Sequence, residues 1–350
     1  MSPTRRIFRF VIAVTALATL CVAWFFYWQI ATDRFRISLD DWAARERAIG
    51  RLVEYRPPVF SGFPFAIRAE IAEPIYAMPA AGWRWHGPTL LASASPFDPL
   101  TIELAAPGSH VVDGPEGLAW TVEADALTGT LDFSLRGLDA VALEGTRLRA
   151  LDADGLATMF ESLAISVAPA DEPPATYRDH LAGIAIELDA LVLPAPDLPL
   201  GAQLERMDLA ARIMGPLPPG HVAEALEAWR SAGGTIEIDA ISGQWGPLGF
   251  AGSGTFALDP ALQPEGAMSM TLTGHEATLE ALVAEGYLEA QPAAFAGTVL
   301  SALERTPETG GPAEVTLPVT LQDRTLSVGP IKFARLDPLD WPALLAPRGE

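Results

Sequence analysis

The chain is 350 residues long, with 49% hydrophobic residues, 23 basic against 44 acidic side chains, a net charge of −21 and one cysteine. That balance excludes a general nucleic-acid binder and a polybasic lipid-surface binder, because both need clustered Lys and Arg. The apolar content suffices for a packed core, and one cysteine excludes a disulfide framework or a cysteine-based zinc site.

The charge is unevenly placed. Arg5, Arg6 and Arg9 lie in the first 30 residues, which hold no acid, so the rest carries 20 basic against 44 acidic residues. Residues 10–32 are uncharged. A helix of that length spans roughly 35 Å, enough to cross a hydrocarbon layer of about 30 Å. The flanking arginines predict an N-terminus in the cytoplasm and a single-pass anchor in the inner membrane, with the bulk of the chain in the periplasm. Trp24, Phe25, Phe26, Tyr27 and Trp28 then form an aromatic belt at the outer interface. Ala16-Leu17-Ala18 matches a signal-peptidase pattern, but it follows a very short apolar run and has more apolar chain after it, so a retained anchor is the favoured reading. Cys21 follows Leu20, which is too large for a lipoprotein cleavage site.

After a cytoplasmic stretch over 1–9 and the anchor over 10–32, a membrane-proximal helix is expected over 33–56. Ser38 and Asp41 resemble a capping box, Trp42, Ile49 and Val53 share a face, and Pro57-Pro58 ends the helix. Residues 57–340 read as one β-rich domain, with a tail over 341–350. Short apolar/polar alternations at 65–71, 101–104, 118–124, 131–135 and 184–188 are the pattern of antiparallel strands with one buried and one wet face. A helix is expected over 220–232, closed by Gly233-Gly234. Strands resume at 235–241, 254–258 and 268–272. Two short helices follow, striped by Leu279, Leu282 and Val283 and by Phe295, Val299 and Leu303, before last strands at 313–320 and 324–334. Residues 169–177 are the clearest internal loop and a candidate boundary, but strands of the same style flank it on both sides. Gly-Pro pairs at 87–88, 215–216, 246–247 and 329–330 mark bends between strands, a decayed repetition of a strand–bend–strand unit. The expected fold is α+β, mainly β: an anchor helix followed by elongated, curled antiparallel sheet with a few short packing helices.

No motif for chemistry survives inspection. His86, His110, His180, His221 and His275 are too scattered for a local metal pair. There is no nucleophile elbow and no phosphate-binding loop. Gly252-Ser253-Gly254-Thr255-Phe256-Ala257 fits a dinucleotide fingerprint, but a strand ended by proline follows where a helix is required. Asp152-Ala153-Asp154-Gly155 opens like a calcium loop and fails at Leu156. Acidic pairs are numerous enough to arise by chance. No catalytic residue, metal or cofactor is expected. Ser61-Gly62-Phe63-Pro64-Phe65, with Trp83 and Trp85 on a common strand face, offers two readings: core residues seating the helix, or Phe63, Phe65, Trp83 and Trp85 lining the mouth of an apolar groove.

The layout resembles a bacterial family. Its marks are the anchor, the helix with Trp42 and Gly50, the Ser61–Phe65 block, the Trp/Pro segment at 83–88, Trp229 with Gly233-Gly234, Trp245-Gly246-Pro247-Leu248, and Leu321-Gln322-Asp323 followed by Val328-Gly329-Pro330-Ile331. Together they resemble domain of unknown function 2125 over about residues 10–340. Arg324 stands where the usual glycine follows Gln-Asp. The family has no known catalytic residues. It is similar to AsmA-like envelope proteins, several of which are implicated in lipid traffic or envelope homeostasis. The resemblance implies that envelope setting; alternating strands on an anchor, with no catalytic constellation, point to a non-enzymatic periplasmic protein that binds or guides lipid acyl chains or shapes envelope assembly. The alternatives are a subunit that recruits another envelope protein and a periplasmic hydrolase.

Overall fold

The computed structural model describes residues 3–195, 198–218, 222–306, 310–329 and 331–339. The tail expected over 341–350, His221 and Asp340 lie outside them.

Helix α1 (Pro3–Ala48) runs unbroken from the apolar segment into its amphipathic continuation. Ser38 therefore sits inside a helix, where its neighbouring N–H groups already have intrahelical partners, and the expected capping box is not used. The helix also ends sooner than residue 56. Gly50 adopts φ 85° and its N–H bonds to the Arg47 carbonyl at 3.1 Å. That left-handed turn is the favoured helix stop. Val53 then belongs to a strand, β1 (Leu52–Glu54), rather than to the stripe begun by Trp42.

The remainder is an up-and-down meander. Strands β1, β2 (Val59–Ser61), β3 (Ile67–Ala72), β4 (Ile75–Met78), β5 (Trp83–His86), β6 (Thr89–Ser95), β7 (Asp98–Ala105), β8 (His110–Asp113), β9 (Ala119–Glu123) and β10 (Ala126–Ser134) are consecutive halves of longer strands. Short breaks such as Pro57-Pro58, Glu73-Pro74 and Gly87-Pro88 separate the halves. One set of halves pairs β2–β3–β6–β7–β10. The other pairs β1–β4–β5–β8–β9. Both sets join β11 (Gly137–Leu151), which takes β10 along its first half and β9 along its last residues. The line of breaks crosses β11 at Arg147, φ 46°, a non-glycine residue in the left-handed region that interrupts the pairing with β12 without shifting its register.

From β11 the sheet continues through β12 (Ala157–Pro169), β13 (His180–Val192), β14 (Gln203–Met214), β15 (Thr235–Trp245), β16 (Leu248–Leu258), β17 (Pro264–Thr273), β18 (Glu314–Gln322), β19 (Thr325–Val328) and β20 (Ile331–Arg335), each antiparallel to the one before. The last expected strand is thus two, folded back at Gly329. Gly246-Pro247 likewise forms the β15–β16 turn, and Gly87-Pro88 bends β5 into β6. Helix α2 (Val222–Ser231) connects β14 to β15, and α3 (His275–Ala284) and α4 (Ala290–Leu303) connect β17 to β18. Ala293 is the buried residue of α4, whereas Phe295, Val299 and Leu303 are exposed, so the expected packing stripe points outward.

No pairing joins the first strands to the last among the described residues. The sheet is open and not strongly curled, in contrast to the curled sheet expected. Pairing is interrupted along one line through Pro57-Pro58, Glu73-Pro74, Gly87-Pro88 and Arg147, while strands such as β16 and β17 pair in one continuous register. Because strands alternate in direction, alternate turns share an end. The turns at 62–66, 96–97 and 135–136 and the loop at 170–179 lie at one end, and α3 and α4 lie at the other.

Candidate apolar face and its anchor

Alternation puts every second residue of a strand on the same face, and antiparallel register carries that choice to the neighbour. Followed strand by strand, one file of paired residues reads Ala69, Ala92, Leu104, Gly129, Leu143, Ile165, Ile186, Leu209, Ile241, Gly252, Met270 and Leu317. Every member is apolar. The next file, from Ile67 and Ile102 through Leu131, Val141, Val167 and Ile184 to Met268 and Val319, is apolar as well. At about 4.8 Å per strand the first file is roughly 50 Å long.

Helix α1 covers the start of this face. Ile67, Ala69 and Ile71 on β3 are buried, as are Ala43 and Trp28 on α1. Farther along, Leu104, Ile165, Ile186, Leu209 and Ile241 are only half-buried, and Leu143 is exposed. Helix α3 touches β16 and α4 touches β18. The stretch from β7 to β15 is thus an apolar surface whose residues are shielded chiefly by one another.

The opposite face is polar and internally paired. Ser93 donates to Glu103 at 3.1 Å, Thr101 to Asp132 at 2.9 Å, and Ser162 to Asp189 at 2.8 Å. Arg212 donates to Asp239 at 2.6 and 2.7 Å and to Glu237 at 3.1 Å. The Arg212 hydrogen bond holds the Asp239 carboxyl below the usual carboxylate range, against a smaller opposing effect of burial. These exposed pairs give the face solubility more than stability.

The residues singled out in the sequence occupy two places. Phe63 and Phe65 lie in the turn between β2 and β3, both exposed. Phe63 meets Phe25 and Trp28 edge-on. Trp83 and Trp85 lie across the line of breaks on β5, half-buried on one face, where Trp83 stacks on Trp120 and Trp85 on His110. The aromatic belt divides. Trp28 is buried and Trp24 half-buried against the turns, while Phe25, Phe26 and Tyr27 are exposed. The side chains of Arg5, Arg6 and Arg9 lie outside the described residues. The apolar files went unnoticed in the sequence. Each strand's alternation was readable, but the files exist only once the register is known.

Among the described residues no group of three or more His, Cys, Asp or Glu side chains could hold a metal ion. His110 is buried, with Nε2 at 3.0 Å from the Ala106 carbonyl. Gly252–Ala257 lies wholly within β16, so no helix opens after its glycines. The Asp152 carboxylate accepts the Asp154 and Leu156 N–H groups at 2.9 and 2.8 Å, closing a turn by itself.

Helix α1 has a stretch long and apolar enough to cross a membrane, with almost none of it buried by the rest of the chain. No curated protein and no solved structure is detectably similar to the chain. A family does match: residues 28–337, from the end of the aromatic belt to the last strand, fit the uncharacterised proteins conserved in bacteria, and the chain therefore belongs to the domain of unknown function 2125 family.

Proposed function

We propose that this is a non-enzymatic, membrane-anchored envelope protein that holds lipid acyl chains on the apolar face of its sheet. In this reading the N-terminus is in the cytoplasm and the sheet in the periplasm, as the positive-inside rule expects from Arg5, Arg6 and Arg9. The observation that carries the reading is the unbroken apolar file from Ala69 to Leu317, half-open to its surroundings from β7 to β15. Soluble monomers rarely expose a contiguous apolar surface of such length, and one rimmed by polar residues marks a binding site. Outside the first 30 residues the chain carries 20 basic against 44 acidic residues, which disfavours gripping an anionic head group. The chains of the lipid are the part this surface suits.

Recruitment of another envelope protein through a sheet edge has less support. The edge strands β1 and β2 have 3 residues each and β20 has 5. Very short edges are a common way to prevent strand addition.

The test uses the full chain in a mild detergent with a fluorescent fatty acid. Leu143→Glu places a charge in the middle of the file at a position already exposed, so the fold tolerates it. A loss of affinity of about tenfold or more is expected, since a buried charge costs at least the apolar transfer energy it replaces. Circular dichroism should be unchanged. Undiminished binding by the variant, or none by the parent chain, would refute the reading.

A further inference from the structure

The anchor-end turns offer a second surface, independent of whether the face binds lipid. Taken from residue 10, a hydrocarbon layer of about 30 Å at 1.5 Å per residue reaches to about residue 29 of an upright helix, and tilt carries the boundary farther along. Yet the sheet already touches α1 at Trp24. The Trp24 indole N–H donates to the Pro64 carbonyl at 2.8 Å, the Trp28 indole to the Ala66 carbonyl at 2.9 Å, and the Tyr27 hydroxyl to the Pro96 carbonyl at 3.2 Å. Trp24 also stacks on Phe97 with 5.2 Å between ring centroids. Turns held at this level of the helix share its depth in the bilayer.

The composition of the turns suits that depth. Phe65 is 75% exposed, Phe97 73%, and Leu135 on the adjacent β10–β11 turn is fully exposed. None of these gains anything from water. Turn carbonyls that would be costly in lipid are instead paired with the indole N–H groups, the condition under which irregular backbone is tolerated at membrane depth. Charge does not explain the attachment. Arg36 faces Asp33 at 3.8 Å, and Arg136 shares its end of the sheet with Asp171 and Glu172.

We propose that the turns carrying Phe63, Phe65, Phe97 and Leu135 form an apolar edge that dips into the interface of the same bilayer α1 crosses, on the leaflet remote from Arg5, Arg6 and Arg9. The sheet is then fixed to the membrane along a line of turns. Its apolar face begins at the lipid surface.

The experiment places an environment-sensitive fluorophore at single cysteines of the full chain, reconstituted in vesicles of phosphatidylethanolamine and phosphatidylglycerol. Native Cys21 reports the anchor. In a Cys21→Ala background, Phe65→Cys and Leu135→Cys report the edge, and Leu156→Cys, in the β11–β12 turn at the opposite end, reports the aqueous phase. Lipids bearing a doxyl group near the glycerol should remove most of the emission at 65 and 135 and none at 156. Quenching absent at both edge positions, or present at 65 alone, would overturn the edge. Blue-shifted but unquenched emission at 135 would mean that protein covers it, and would overturn the edge too. A Cys21 label left unquenched by lipids bearing the doxyl group deep in the acyl chain would overturn the anchor itself, a distinct failure.

Discussion

Phe250 stands directly across from Gly243, and its ring occupies the space that a side chain on Gly243 would need. The same exchange recurs nearby. Met270 fills the space over Gly252, Met268 over Gly254, and Phe256 over Gly266. Over β15–β17 the face is therefore filled from the neighbouring strand, large residue against none. A methyl added at Gly243 would also stand 2.6 Å from the Arg206 carbonyl oxygen, which is backbone and cannot swing aside. Gly243→Ala should destabilise the sheet by about 1–3 kcal/mol, the usual cost of overpacking. Gly183→Ala, whose methyl would find only the Ala168 carbonyl at 3.9 Å, should be neutral or slightly stabilising. Urea unfolding of the two variants checks the contrast.

Asp323 and Arg324 close the two-residue β18–β19 turn with φ of 50° and 61°. Two consecutive positive φ values suit Asn-Gly or Asp-Gly, and arginine pays a steric penalty at the second. Arg324→Gly should raise stability by about 1 kcal/mol. A thermal midpoint that stays level or falls would show that Arg324 has a compensating role.

The Trp229 indole N–H donates to the Met214 carbonyl at 2.7 Å, and both residues are buried. This bond seats α2 against the end of β14. Trp229→Phe keeps much of the packing and leaves the carbonyl unpaired, for an expected loss of about 1–3 kcal/mol. Because α2 lies off the apolar files, fatty-acid affinity of the folded variant should match the parent. Equal loss of affinity and stability would place α2 in the binding surface.

Alkali should loosen the junction between α1 and the sheet. Burial, and then the 2.8 Å hydrogen bond to Asp40, push the Tyr55 hydroxyl up to about 12. The folded state thus holds this proton more tightly than the unfolded chain, whose tyrosines titrate near 10. The stabilisation is complete below about pH 10 and lost as pH rises through about 12. Tyr55→Phe should flatten that part of the stability profile, measured by denaturant unfolding at stepped alkaline pH. A profile as steep as the parent's would assign the loss to other groups.

Local chemistry was readable where one segment decides it. The uncharged run after Arg9 gave a helix, Ile184–Leu188 gave a strand, and Gly246-Pro247 gave a turn. Helix α1 misled at Ser38, because a capping residue acts only where a helix begins, and the anchor had already begun it. Its end misled as well, since Gly50 stopped it before Pro57 could. The site was hidden for a different reason. Leu143 and Ile165 are neighbours only because β11 and β12 share a register, and register depends on which strands pair and on bulges such as that between Ala210 and Ala211, which no local pattern announces. The Ser61–Phe65 block was conspicuous in sequence. Its partners Trp24 and Trp28, about 40 residues earlier, became evident only from the packing of α1 on the turn.

The meander has a consequence for how the molecule is built. From β11 onward every strand pairs with the strand made just before it, so each new segment meets a finished template as soon as it emerges. Few distant segments must find one another, which favours rapid, sequential assembly from the anchor outward. The same rule makes length an adjustable property. A hairpin inserted into or removed from the middle of the run preserves the alternation on either side, so the apolar track can grow or shrink by about 10 Å at a time while its two ends stay as they are.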